Sequence, residues 1–349
     1  MSRPCAAVCV AVCVLVALVA ACGGGGAEEA TDWTGLPRTT PTTARPGPPT
    51  TTTPTTPPPT YPLTGLPLDD PTKAARPAAV VKIENSRRAL GIQDGLSAAD
   101  VVYVEKVEGG VTRVAAVFHS ADADSVGPVR SARTTDVVLT GDLNRPLFAF
   151  SGANVGVLRQ ISGANVVDAS WDARPDAYRG TGVLGLFTST PALYERLPDP
   201  APGPPGPLFT YGPVPAGTEV TAVDATYGSE VDTRVGWERG PGGWVRSQDG
   251  APHVDGDGAP VTAANVVFKE VEYRDSGFRD VTGTPSPEAV LIGDGEVLVL
   301  TGGRLVPGRW SRARPEDPTT LTTAAGLPLA LQPGRTWVEM VPPGSVTPR

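Results

Sequence analysis

The chain has 349 residues, of which 40% are hydrophobic and 19% charged, and its formal charge is −8. An acidic chain lacks the basic face that phosphate neutralisation needs, so nucleic acid is not an expected partner. With only two histidines and four cysteines, a multi-histidine metal centre is excluded, any metal would rest on oxygen ligands, and neither a metal nor a cofactor is expected.

In chain order, the first signal is at the N-terminus. Arg3 precedes the apolar run AAVCVAVCVLVALVA, Ala6 to Ala20, which has signal-peptide length. The following VAAC, Val19 to Cys22, resembles a bacterial lipobox. That resemblance implies cleavage of residues 1–21 and acylation of Cys22, palmitate being one such acyl chain. Cys5, Cys9 and Cys13 leave with the signal, so no thiol remains for a disulfide, a cysteine zinc site or a cysteine nucleophile. Residues 22–60 then read as a lipidated cysteine and a disordered tether. The Thr/Pro tract from Thr39 to Thr60 cannot bury a core. At about 3.1 Å per residue it reaches roughly 70 Å.

Folded sequence is expected from Tyr61. PAAVVKIEN reads as a buried strand, and ADVVYVEKVEGGVTRVAAVFHS as two strands turning at Glu108-Gly109-Gly110. A helix is predicted over 132–141, a strand in RPLFAFSGA, a helix in NVGVLRQI and a strand in NVVDA. STPALYERL reads as a helix capped by Ser189 or Thr190. Residues 61–200 therefore form an α/β-type region. The breaker-rich segment 201–217 reads as a Pro-rich linker. Short β-type runs over 218–342 predict a smaller, mostly β domain, with 343–349 as a tail. The fold class is α+β.

PLTGLPLDD, RPAAVVKIEN, GLSAADVVYVEKVEGGVTRVAAVF, VGPVRSAR, PHVDGDGAPVTAANVVF and GRWSRARPEDPTTL appear in this order. Together they resemble the YerB-like lipoprotein family, named for a domain of unknown function, 3048, with N- and C-terminal parts. The resemblance runs from about Tyr61 to Pro342. It implies an exported, membrane-anchored, two-domain protein and no particular reaction. The family pattern carries a Pro-His-Asn stretch before the segment matching LFTSTPAL. Here the chain reads YRGTGVLGLFTSTPAL, without a histidine.

Chemistry-bearing candidates are few. Glu105 and Glu108 in EKVEGGVTR form either a carboxylate pair served by Arg113 or a turn with a cross-strand ion pair. Arg130 and Arg133, three apart in GPVRSAR, share a helix face at an end that already carries positive partial charge. Either an anionic ligand neutralises them, or Glu105, Glu108 or Asp136 does. Arg179 joins Arg113, Arg130 and Arg133 as a ligand-binding candidate. His253 and Asp255 in PHVDGDG are weaker candidates for orienting a base or holding a cation. In EDPTTL, Glu316 to Leu321, an Asp-Pro turn places hydroxyls that can line a pocket. No nucleophile-elbow, phosphate-loop or H-E-x-x-H pattern occurs.

The sequence thus points to a lipoprotein on the outer face of the bacterial cytoplasmic membrane. Two activities stay open. One is binding of an anionic cell-wall component or partner protein. The other is a cell-wall glycan hydrolase or transferase with Glu105 or Glu108 as acid or base.

Overall fold

The computed structural model describes residues 58–228 and 232–349; the expected signal segment, Cys22 and almost all of the tether lie outside the described residues. A short helix, α1 (Pro71–Ala75), is capped by the Asp70 carboxylate. PAAVVKIEN then forms β1 (Ala79–Glu84), buried at every position, as expected of a strand covered on both faces. The two strands predicted around Glu108 are β2 (Val101–Lys106) and β3 (Thr112–Phe118), paired antiparallel. Gly109 and Gly110 turn the chain between them at φ of 71° and 74°, a region that a Cβ disfavours.

The helix expected over 132–141 is α2 (Thr134–Leu139). It is followed by β4 (Leu147–Ala149), α3 (Val155–Ser162), β5 (Val167–Asp168), β6 (Tyr178–Arg179) and β7 (Phe187–Thr188). In α4 (Thr190–Tyr194) the Ser189 hydroxyl accepts from the Ala192 N–H, which is the predicted cap. The second region holds β8 (Thr218–Glu219), β9 (Ala222–Thr226), β10 (Arg234–Gly240), β11 (Gly243–Gln248), β12 (Ala251–Pro252) and β13 (Thr262–Ala263). It continues with β14 (Asn265–Glu270), β15 (Tyr273–Arg279), β16 (Pro285–Ala289), β17 (Gly293–Thr301) and β18 (Arg304–Arg312). Last come β19 (Thr320–Thr323), β20 (Thr336–Val341) and β21 (Val346–Pro348). The first region is mixed α/β and the second mostly β, which is the α+β class read from the sequence.

An eleven-stranded sheet runs β19-β18-β17-β14-β20-β2-β3-β1-β4-β5, with β8 on β18. β20 lies between β14 and β2 and is parallel to both. Strands of both regions therefore share one sheet, and the described residues belong to one compact unit. A six-stranded sheet runs β12-β11-β10-β9-β21, with β13 on β11.

Side chains alternate across a strand, so the large sheet carries two cores. On one face Val81, Ile83, Val102 and Trp337 pack with Val223, Val235, Trp237 and Trp244 of the six-stranded sheet. On the other, Val80, Val101 and Val117 pack with Leu139 of α2 and Val157 and Ile161 of α3. The Pro-rich segment expected as a linker lies along this second face. Its Leu208 is buried there, and the Tyr211 hydroxyl donates to the Leu63 carbonyl.

Candidate functional site

Three strands set Glu84, Arg113 and Glu105 in register, Glu84 opposite Arg113 and Arg113 opposite Glu105. Lys82, two residues before Glu84, shares its face. The Lys82 ammonium donates to Glu105 Oε1 at 2.5 Å and to Asp136 Oδ1 at 2.8 Å, with all three side chains at most 1% exposed. Asp136, in the first turn of α2, also accepts from the Arg133 N–H at 2.7 Å. An acid in the first turn answers the positive end of the helix.

The arginines meet other carboxylates. Arg113 donates to Glu84 Oε2, and Arg130 Nε reaches the same oxygen at 2.7 Å. Arg133 sets Nε and Nη2 on Glu108 Oε2 at 3.1 and 2.6 Å, and Ser286 donates to Glu108 Oε1. Four cations (Lys82, Arg113, Arg130, Arg133) thus interleave with four carboxylates (Glu84, Glu105, Glu108, Asp136). Burial raises the Glu84 carboxyl, but Arg113 and Arg130 outweigh it and hold it at about 2. Burial and the neighbouring Glu105 charge, opposed by Lys82, push Asp136 up to about 6. Glu108 is also pulled down, because its bonds to Arg133 and Ser286 exceed the cost of its burial.

Glu105 and Glu108 do not face a common space. Glu105 turns inward to Lys82, and Glu108 is claimed by Arg133 and Ser286. Arg113 lies opposite Glu105 in register yet bonds Glu84, leaving its own Nε and Glu105 Oε2 buried without partners. Arg133 is fully engaged, since its Nη1 also donates to the Ala132 carbonyl at 3.0 Å. Arg130 differs. Its side chain is 26% exposed and anchored through Nε alone, and its two terminal nitrogens meet no partner among the described residues. Arg179 stands apart from this network. It is exposed, donates to the Asp124 and Thr188 carbonyls and lies over the Phe187 ring at 5.8 Å.

His253 and Asp255 are both buried and make separate contacts. Asp255 accepts from the Ser97 and Gly256 N–H groups. His253 lies between Arg246 and Gln93 at 2.7 and 2.6 Å. Among the described residues no group of three His, Cys, Asp or Glu side chains is placed to hold a metal. Sequence reasoning missed Lys82 and Glu84. Their signal was present: two charged residues at alternate positions in an otherwise apolar buried strand mark one polar stripe.

A mixed α/β region and a mostly β region that share one sheet, with a charge network buried on the helical face, define the class of protein. Residues 63–198 match the family described as "Protein of unknown function (DUF3048) N-terminal domain", and residues 223–338 match its C-terminal domain. The chain belongs to this family, as the sequence resemblance implied. It is 28% identical over 308 residues to "Putative lipoprotein YerB" of Bacillus subtilis (strain 168), covering 80% of this chain and 86% of that protein. Its fold is similar to the crystal structure of YerB from Bacillus subtilis, with a TM-score of 0.73 and 23% identity over 83% of this chain and 99% of the other.

Proposed function

We propose that the chain is a membrane-anchored bacterial lipoprotein of the cell envelope whose folded part binds an anionic envelope component. The name of the YerB relative supports the lipoprotein reading, as does the VAAC sequence after an apolar core. In this reading residues 1–21 are a signal peptide, Cys22 carries the lipid, and the outer face of the cytoplasmic membrane holds the protein. The observation that carries the binding reading is Arg130, whose Nε is locked on Glu84 while its outer edge opens to solvent. A guanidinium fixed along one edge keeps a preorganised pair of donors for a carboxylate or phosphate on the other. Acid–base hydrolysis fits less well, because Glu105 is sealed on Lys82 and Glu108 is held by two donors.

The test is retention of the protein on purified wall polymer, comparing wild type with Arg130→Gln and Arg179→Gln. Arg130→Gln is expected to lose roughly tenfold or more of the retention, the scale of one charge-assisted bond. Undiminished retention by Arg130→Gln removes the proposed site, and release of soluble sugar by the wild type supports the hydrolase instead.

A further inference from the structure

Anion binding at Arg130 leaves the centre of the charge network without a role. The chain has four lysines: Lys73, Lys82, Lys106 and Lys269. Lys73 and Lys106 are partly exposed beside Asp122 and Asp232, and Lys269 donates to the Thr319 hydroxyl. Among the described residues only Lys82 touches two carboxylates, Glu105 and Asp136, and all three side chains are sealed from solvent. A primary amine is thus buried between two acids, where no substrate from outside reaches it.

The surroundings are apolar. Val80 shares the Lys82 face of β1, Ala115 is its register partner on β3, and Ala132 and Leu139 lie on either side of Asp136 in sequence. All four are at most 2% exposed and belong to one core. An ion pair in such a place gives up the hydration of both its charges. Condensation to an amide removes both charges and releases one water. In bulk water the two groups stay ionised and apart at neutral pH. Here they are held in hydrogen-bond contact, and well-oriented neighbours react as if present at roughly 10⁵–10⁸ M.

The two oxygens of Asp136 already differ. Oδ1 faces the Lys82 amine at 2.8 Å, whereas Oδ2 accepts from the Arg133 N–H at 2.7 Å. A backbone donor fixed on one carboxyl oxygen stabilises negative charge that develops there. Glu105 Oε1 lies 2.5 Å from the same amine, and Glu105 Oε2 is buried without a partner. A base therefore stands within hydrogen-bond reach of the nucleophile with one oxygen still open. Burial and the Glu105 charge, opposed by Lys82, push the Asp136 carboxyl up to about 6. That shift favours the neutral acid, the form an amine can attack.

We propose that Lys82 and Asp136 join in an intramolecular isopeptide bond, with Glu105 as the catalytic base. The ammonium first passes one proton to Asp136 Oδ1, which leaves an amine and a carboxylic acid. The amine lone pair then forms the Nζ–Cγ bond, and the carbonyl π pair moves onto Oδ2 under the Arg133 N–H. Glu105 takes a proton from the nitrogen and delivers it to Oδ1. The Cγ–Oδ1 bond breaks, its electron pair departs with the oxygen as water, and the Oδ2 pair restores the carbonyl. Glu105 ends as it began, and no other reactant is needed. The structure holds the pair as reactants. Once joined, neither group titrates, so the pH response of Asp136 belongs to the unlinked chain. The network stays balanced, with Arg113, Arg130 and Arg133 against Glu84, Glu105 and Glu108. The bond ties β1 to α2 across 54 residues, in a region without a cysteine to form a disulfide. It does not depend on what Arg130 binds.

The test is peptide mapping by mass spectrometry of the purified full chain, denatured and digested with trypsin. A linked Lys82 resists cleavage, so residues 74–87 should appear joined to residues 134–159, at the sum of their masses less one water. Fragmentation should place the junction at Lys82 and Asp136, and the joined form should account for most of the peptide that bears Asp136. Lys82→Met and Glu105→Gln should each release residues 134–159 as a free peptide, while Lys106→Met should stay joined. Where a variant does not fold, the wild-type digest decides by itself. Cleavage after Lys82 with residues 134–159 recovered mainly free in the wild type, or a Glu105→Gln chain joined as fully as the wild type, overturns the proposal.

Discussion

Arg246 and Glu339 meet at 3.0 Å with neither side chain exposed, and through this contact the six-stranded sheet is fixed to the large one. Glu339 lies in the middle of β20. Besides Arg246 it accepts from Trp237 Nε1 at 3.0 Å and from the Tyr227 hydroxyl at 2.6 Å. One carboxylate thus receives three donors from the β9–β11 region. Removing one partner of a buried pair leaves the other charge uncompensated, at a cost of about 3–5 kcal/mol. Glu339→Gln is expected to lower stability on that scale in urea unfolding. A loss under about 1 kcal/mol would mean that the sheet contact does not depend on this pair.

His253 extends the same cluster, and its tautomer follows from its partners. Arg246 has no acceptor, so His253 Nδ1 must accept from it, and Nε2–H donates to Gln93. A second proton would set N–H against N–H beside a guanidinium. Burial and Arg246 hold the ring well below its usual pKa. A histidine with a lowered folded-state pKa contributes stability that is full above about pH 6.5 and is lost as pH falls below it. The expected slope is about 1.4 kcal/mol per pH unit. His119, lowered by burial to about 4, has the same sign. Asp136 and Asp142, raised to about 6 by burial, act oppositely and lose their contribution as pH rises from about 4 through 6. The check is therefore a difference: His253→Gln should flatten the stability curve between pH 6.5 and 5 relative to wild type. A curve parallel to wild type would show that His253 does not titrate on unfolding.

Cys22→Ser addresses the anchoring proposal. A chain held by two or more acyl groups stays on the bilayer, and one without them has no lipid attachment at that position. The variant is expected to move from the membrane fraction to the soluble fraction after cell lysis. Retention in the membrane fraction would point to an uncleaved N-terminal segment as the anchor.

Most elements were legible because their signals are local. β1 and β20 are rich in buried β-branched and other apolar residues, α4 begins at Ser189 before Pro191, and the Glu108–Gly110 turn carries its glycines where φ is positive. The charge partners were only half legible. The Arg133 guanidinium pairs with Glu108, one of the acids that the sequence offered for it, while Asp136 receives from Arg133 only the backbone N–H. Arg130 instead takes Glu84, which lies 46 residues upstream on the polar stripe of β1, and nothing local in the sequence joins that stripe to GPVRSAR. The tie between Arg246 and Glu339 spans 93 residues and has no local trace. The Pro-rich segment looked like a spacer because Pro and Gly dominate it, yet Leu208 and Tyr211 are enough to seat it on the sheet.

Gly65 and Tyr211 test that seating. Gly65, in PLTGLP, has φ of 64°, and a Cβ built there would lie 2.4 Å from the Tyr211 ring. The Tyr211 hydroxyl is bonded to the Leu63 carbonyl, so the ring is tied to the turn that it covers. Gly65→Ala therefore carries two costs. The left-handed backbone costs about 1–2 kcal/mol for any residue with a Cβ, and the clash adds the displacement of Tyr211. The two separate in a double-mutant cycle. In a Tyr211→Ala background the cost of Gly65→Ala should shrink to the backbone part alone, because the ring it strikes is gone. A cost that is unchanged in that background would mean that the Tyr211 ring does not press on this turn, and that the segment around Leu208 is held by other contacts.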